Sequence, residues 1–219
     1  MSTFFLNRLT TEPHALAFAG QSTPWPVALA DQTTDPSLDE ALRGHVAAAN
    51  RLLTPAAADL LATTGRPVDL FGFTPNPARL GAAADATASV EGVALTQLGA
   101  LLDLEHLGYS VAQAKPVAVL GHSQGVLAVH MTRAIEAAGS IEAAGKTLDE
   151  ILAVAALIGA AGTRRVRELG LNPKYGEASP MLSVKGATRE QVEALVKRVN
   201  NARGPISIAV TNSDNHHVL

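Results

Sequence analysis

Five consecutive residues, Gly121-His-Ser-Gln-Gly125, have the make-up of a nucleophile on a tight turn. Lys115-Pro-Val-Ala-Val-Leu120 before them reads as a buried strand, and Val126-Leu-Ala-Val-His-Met131 behind them begins a helix. A serine on the sharp bend between two such elements is held in a strained backbone conformation. The glycines remove side chains that would collide with strand and helix, so the Ser123 hydroxyl projects from the bend. The N–H of Gln124 then sits at the helix N-terminus, where it can donate to a developing oxyanion. His122 is a neighbour in sequence and points elsewhere on such a turn. It reads as a polar side chain hydrogen-bonded within the turn rather than as a general base.

The elements that must position Ser123 form an α/β pattern. His14-Ala-Leu-Ala-Phe-Ala-Gly20 reads as a buried strand followed by a loop through Pro26. Asp35-Pro36 opens a helix running to Leu53, and Thr54-Pro55 opens a second one ending near Gly65. Residues 66–85, rich in Gly, Pro and Ala, read as a loop. From Ser89 to His106 the apolar residues Val90, Val93, Ala94, Leu98, Leu101 and Leu102 recur at helical spacing, and Gly108 ends that helix.

Small residues from Ala137 to Gly145 read as a linker, and the capping box Thr147-Leu-Asp-Glu150 starts a helix to Gly170. Pro180–Lys185 and Pro205–Thr211 read as strands. Between them the box Thr188-Arg-Glu-Gln191 opens a helix, giving a βαβ unit expected as the first part of a ferredoxin-like lobe. The expected division is 1–172, an α/β core with the elbow, and 173–219, a truncated ferredoxin-like subdomain.

Composition excludes several classes of function. The 219 residues are 47% hydrophobic, which argues against disorder. A net charge of −3 leaves no basic face for nucleic acid. With no cysteine, disulfides, thiol catalysis and Cys-zinc sites are excluded, and no metal site is expected. No apolar run approaches the roughly 20 residues of a membrane helix, and the opening segment is not a signal peptide. A cytoplasmic protein with no membrane partner is the expectation.

At Gly121-His-Ser-Gln-Gly125 the chain resembles the acyl-carrier-protein acyltransferases. It is most similar to the acetyltransferase domain that opens type I fatty acid synthases of mycobacterial and corynebacterial kind. Ala17-Phe-Ala-Gly-Gln21, Thr96-Gln97, Leu157-Ile-Gly-Ala-Ala-Gly162 and Val210-Thr-Asn212 extend the likeness over essentially the whole chain. The resemblance implies a malonyl-CoA:ACP transacylase-like fold with a parallel-sheet, hydrolase-like core. It implies Ser123 as nucleophile, with the amides of Gln21 and Gln124 as oxyanion hole. Gly20, His122, Ala161 and Asn212 are expected to line the substrate site.

No bound cofactor is implied; a coenzyme A thioester is the substrate. An acyl carrier protein domain and the remainder of the synthase are the partners, and the full-length parent is expected to be a homo-oligomer. Malonyl-selective members carry an arginine where this chain has Ala161, so a malonyl carboxylate would lack a cation. Arg164 and Arg165, one turn on, read as a solvated helix face. A neutral donor such as acetyl-CoA is therefore expected.

The family's general base is a histidine in a Phe-His-x-Pro-like segment beyond the small lobe, and no such segment precedes Leu219. His216 and His217 read as an exposed turn pair and Asp214 as turn chemistry. Without the base an elbow serine is a weak nucleophile, so little activity is expected of the 219 residues alone. Two other readings stay open: an α/β-hydrolase or thioesterase on the same elbow, and a non-catalytic assembly segment of a multienzyme.

Overall fold

A computed structural model describes residues 8–20, 24–53, 57–60, 69–72, 86–168, 182–203 and 206–219. The chain is mixed α/β and mostly helical, and it divides into two compact units, Met1–Gly170 and Leu171–Leu219.

In the first unit, β1 (Ala15–Phe18) and β2 (Ala118–Gly121) form a two-stranded parallel sheet, with Ala15 beside Ala118 and Phe18 beside Gly121. The helices are α1 (Trp25–Gln32), α2 (Pro36–Leu52), α3 (Ala86–His106), the single turn α4 (Val111–Ala114), α5 (Gly125–Ala138) and α6 (Ile141–Glu168). Residues 57–60 are also helical, inside the second helix expected from the sequence. Of the loop expected over 66–85, the described part is a 3₁₀ turn, Leu70–Gly72.

Helix ends follow local chemistry. The Asp35 carboxylate accepts from the N–H groups of Ser37 (2.8 Å) and Leu38 (3.3 Å), as an N-cap should. At the far end of α3 the Tyr109 N–H reaches back to the Leu104 carbonyl at 2.9 Å, across Gly108 in the left-handed region (φ 93°). Two expectations change. Helix α1 begins at Trp25, inside the predicted loop, because Pro24 and Pro26 hold backbone angles that suit a first turn. Helix α6 begins at Ile141, because Ser140 Oγ accepts from the Ala143 N–H at 3.1 Å. The presumed linker through Gly145 is therefore helix, and Thr147 is not its cap. Alanines that resemble a linker are also the best helix formers.

The core lies among the helices. Leu95, Leu98 and Leu101 of α3 pack with Leu42 of α2, Met131 and Ile135 of α5, and Leu148 and Leu152 of α6, all buried. Helices α3 and α6 share the broadest interface. Across α2 and α6, His45 Nδ1 and Asp149 Oδ1 pair at 2.6 Å. The buried side chains of this core come from the helices, with Leu16 and Phe18 of β1 packed partly buried against it.

Trp25 sits in a notch that α3 provides by carrying Gly92. A β-carbon there would fall within 2.6 Å of the indole Cε3, with other ring atoms as close. Alanine normally gains about 1 kcal/mol over glycine in a helix. Overpacking a rigid, buried ring costs about 1–3 kcal/mol and outweighs that gain. Gly92→Ala is expected to lower the urea midpoint; an unchanged or higher midpoint would show that the indole can move aside.

Tyr109 ties the start of β1 to the end of α3. Its hydroxyl lies 2.5 Å from His14 Nε2, while His14 Nδ1 lies 3.0 Å from the Glu12 carbonyl oxygen. A consistent tautomer has Nδ1–H donating to Glu12 and Nε2 accepting from the phenol. Burial pushes the Tyr109 phenol above its ordinary value, and the Glu136 carboxylate adds to this. A raised folded-state value means this contribution is whole below pH about 10 and fades as pH rises beyond it. Tyr109→Phe is thus expected to flatten the loss of stability between about pH 9.5 and 11.5, followed by urea unfolding.

The two strands are less buried than expected. Val117 and Leu120 are 72% and 59% exposed, and β1 alternates between exposed and half-buried positions. A parallel strand becomes fully buried only between paired neighbours with both faces covered. Among the described residues this sheet has two strands.

In the second unit, β3 (Ser183–Lys185), α7 (Arg189–Arg203), β4 (Val210–Ser213) and β5 (His216–Val218) form a three-stranded sheet in the order β3-β5-β4. Both outer strands run antiparallel to β5, so they are parallel to each other and joined through α7. The capping box that opens α7 is reciprocal: Thr188 N–H donates to Gln191 Oε1 (2.8 Å) and Gln191 N–H to Thr188 Oγ1 (3.4 Å). The expected βαβ unit is thus βαββ. Of the predicted Pro205–Thr211, residues 206–209 are not strand and the second strand begins at Val210; the first includes Ser183–Lys185 of the predicted Pro180–Lys185, with Pro180, Met181 and Pro205 outside the described residues.

Candidate active site

Ser123 stands where β2 turns into α5. Its φ is 53°, in the left-handed region that a side-chain-bearing residue adopts only under constraint. Three short backbone bonds supply that constraint. His122 N–H donates to the Phe18 carbonyl (3.0 Å), Gly125 N–H to His122 (2.8 Å), and Val126 N–H to Ser123 (3.2 Å).

Close packing completes the bend. A β-carbon on Gly121 would strike the Gly125 carbonyl, and one on Gly125 would strike the carbonyl oxygen of Phe18 and reach 3.0 Å from that of Ala19. On the other side, a β-carbon on Gly20 would lie 2.5 Å from the His122 carbonyl oxygen and 2.8 Å from Ser123 Cβ. The end of β1 is thus pressed against the elbow with no room for a methyl group.

Ser123 and His122 are exposed, Gln124 half-buried. The Gln124 N–H donates to no described residue and precedes the first turn of α5. With no described partner, it can meet a negative charge forming beside the serine oxygen, with the helix dipole of α5 behind it. Gln21, the other expected donor, lies outside the described residues. His122 bonds through its backbone, its N–H to Phe18 and its carbonyl to the Gly125 N–H. Its backbone rather than its imidazole builds the turn.

Gln97, on the otherwise apolar face of α3, donates from Nε2 to the Ala19 carbonyl at 2.6 Å and is only 8% exposed. From the sequence it stood out only as part of the family likeness. The local signal was a primary amide between Ala94, Leu98 and Leu101.

Ala161 is exposed on α6. Arg164 and Arg165 are exposed as well and share Glu168, at 2.8 and 3.3 Å. Their hydrogen bonds, Arg164 first, hold the Glu168 carboxyl below its ordinary range. Both guanidinium groups are thus engaged on a solvated face, as their sequence context suggests.

Asn212 is exposed on β4 in the second unit. His216 and His217 are not a turn pair. They lie on β5, where His217 is fully buried opposite Val184 and Thr211, with Thr211 Oγ1 3.2 Å from Nδ1. His216 Nε2 lies 3.0 Å from Ser183 Oγ. The turn is Asp214-Asn215, where side chains that tolerate tight bends belong. A histidine sealed inside a small sheet is placed for packing.

No described helix is long and apolar enough to cross a membrane. No curated protein matches the chain. The family described as "Starter unit:ACP transacylase in aflatoxin biosynthesis" matches residues 82–219, a span that carries the elbow, α6 and the whole second unit. That span is more than half of the sequence, so the chain belongs to the starter unit:ACP transacylase family, whose chemistry is transfer of a starter acyl group to an acyl carrier protein.

Proposed function

We propose that Ser123 carries the acyl group. Its oxygen adds to the carbonyl of a coenzyme A thioester, the tetrahedral oxyanion is met by the amides of Gln124 and Gln21, and the C–S bond breaks. The hydroxyl proton passes, through a base that no described residue supplies, to the sulfur, so that coenzyme A leaves as its thiol. The carrier's phosphopantetheine thiol then attacks the serine ester and takes the acyl group. The observation that carries this reading is the left-handed Ser123, exposed at the start of α5 beside an N–H that no described residue engages.

In its finer form the reading assigns a neutral donor, acetyl-CoA, and the setting of a bacterial type I fatty acid synthase. Support for the neutral donor comes from Ala161 and from the pairing of Arg164 and Arg165 with Glu168, which leaves neither as a dedicated partner for a malonyl carboxylate. Support for the setting is the likeness carried by the motifs quoted above. The helix–strand organisation of the second unit is consistent with the ferredoxin-like subdomain of an acyltransferase fold.

The test is donor competition in the intact protein. Acetyl-CoA is expected to load Ser123 at least about 100-fold faster than malonyl-CoA, since a malonyl carboxylate drawn out of water on binding would lack a cation. The loaded acyl group is expected to discharge onto holo acyl carrier protein far faster than into water. Equal loading by both donors would overturn the neutral-donor assignment. Discharge to water at the carrier's rate would favour a thioesterase.

A further inference from the structure

Gln97 is a buried primary amide on α3, on a face that otherwise carries Val93, Ala94 and Leu101, with the buried Thr96 beside it in sequence. Its Nε2 donates to the Ala19 carbonyl, and its Oε1 is buried without a hydrogen-bond partner among the described residues. Turning the amide over would set Oε1 against the Ala19 oxygen, so this bond determines its orientation. A buried amide gives up hydrogen bonds to water that a leucine never had, so on such a face its place calls for a bond that packing alone would not supply. What Gln97 secures is a single carbonyl, and that carbonyl belongs to the segment wedged against the elbow. The Phe18 and Ala19 oxygens flank the Cα of Gly125, and the next residue, Gly20, abuts His122 and Ser123.

We propose that Gln97 is a positioning residue for the chemistry at Ser123. By drawing the Ala19 carbonyl toward α3 it fixes the Ala19–Gly20 peptide plane. It thereby holds Gly20 against the bend and keeps the serine facing the Gln124 amide. Gln97 touches neither substrate nor reacting atoms; it acts through the corner of β1. The inference rests on the reading of Ser123 as the nucleophile. A small displacement of that corner changes the donor geometry around the oxyanion, to which such sites are steeply sensitive.

The test reads tetrahedral geometry at Ser123 without any thioester or carrier. A small alkylboronic acid forms a four-coordinate adduct with an activated serine, and its affinity reports the surrounding donors. In the intact protein, compared with wild type, Gln97→Met, similar in volume but without a donor, is expected to lose roughly 10- to 100-fold in affinity while still unfolding cooperatively. Gln97→Glu adds a readout that packing alone would not move. An ionised carboxylate cannot donate to Ala19, whereas a protonated one can. The ratio of its affinity to wild type, taken at each pH, is therefore expected to rise from pH 8 toward pH 5. Ser123→Ala fixes the background.

Wild-type affinity in Gln97→Met, a pH-independent ratio in Gln97→Glu, or no Ser123 adduct even in the wild-type protein would each overturn the proposal. Should Gln97→Met fail to fold, the pH dependence of Gln97→Glu decides alone. Acyl transfer is judged separately by the donor competition above, so a failure of this inference can be told apart from a failure of the reading it rests on.

Discussion

Ser123→Ala is expected to abolish acyl loading while leaving the fold intact, and Ser123→Gly to abolish it while making the protein more stable than the alanine variant. Removing a serine nucleophile costs up to about 10⁶-fold in well-studied cases, because the residual donors cannot replace the covalent step. The stability half of the prediction follows from the backbone. At φ 53° any residue with a β-carbon pays a steric penalty, of about 1–2 kcal/mol, that glycine does not. Glycine loses more entropy on folding, about 0.5–1 kcal/mol relative to alanine. The balance leaves Ser123→Gly more stable than Ser123→Ala by about 0.5–1 kcal/mol, or a few degrees in Tm. Strain of this kind clusters at sites kept for chemistry, which is the role proposed for Ser123. Equal melting temperatures for the two variants would mean that the bend is relaxed, and undiminished loading in either would remove Ser123 from the mechanism.

The second large effect is expected at Gly125. Its Cα lies against two backbone carbonyls, of Phe18 and Ala19, rather than against the flexible end of a side chain. A methyl group there cannot be accommodated by a rotamer change. The end of β1 and the start of α5 must separate, and the His122 N–H to Phe18 bond spans the same gap. Gly125→Ala should cost about 1–3 kcal/mol of stability as overpacking. It should also cost roughly 100-fold or more in acyl loading, since a shift of about 1 Å in a positioned site carries that penalty. The contrast with Gly92→Ala separates the two effects. That substitution perturbs the Trp25 packing between α1 and α3, and its loss of loading should do no more than follow its loss of folded protein. If Gly125→Ala loads at the wild-type rate, the contact between β1 and the elbow is not what orders the site.

Much of the local structure was legible in the residue string because its causes are local. Asp35 before Pro36, the Thr188–Gln191 box and Gly108 each satisfy orphaned backbone groups within a few residues of themselves. The same local logic misled where two signals competed. Both Ser140 and Thr147 can cap, and a run of alanines between them is neutral to a reader but favourable to a helix, so α6 extends back to Ile141. Trp25 and Pro26 looked like loop because proline marks both loops and first turns.

By itself the sequence determined the elbow: a β-prone run, Gly-His-Ser-Gln-Gly, and a helix-prone run allow little else, because only residues without β-carbons fit beside such a bend. Contacts between residues far apart in the chain had to wait for the tertiary structure. It placed Gly20 on Ser123, tied Gln97 to Ala19 across 78 positions, and buried His217 in a sheet rather than leaving it in a turn. It also left Val117 and Leu120 open to solvent, although an apolar strand reads as buried whatever lies beside it. Periodicity and caps record what each segment prefers. Which partner meets it depends on the path of the whole chain, and no local pattern encodes that path.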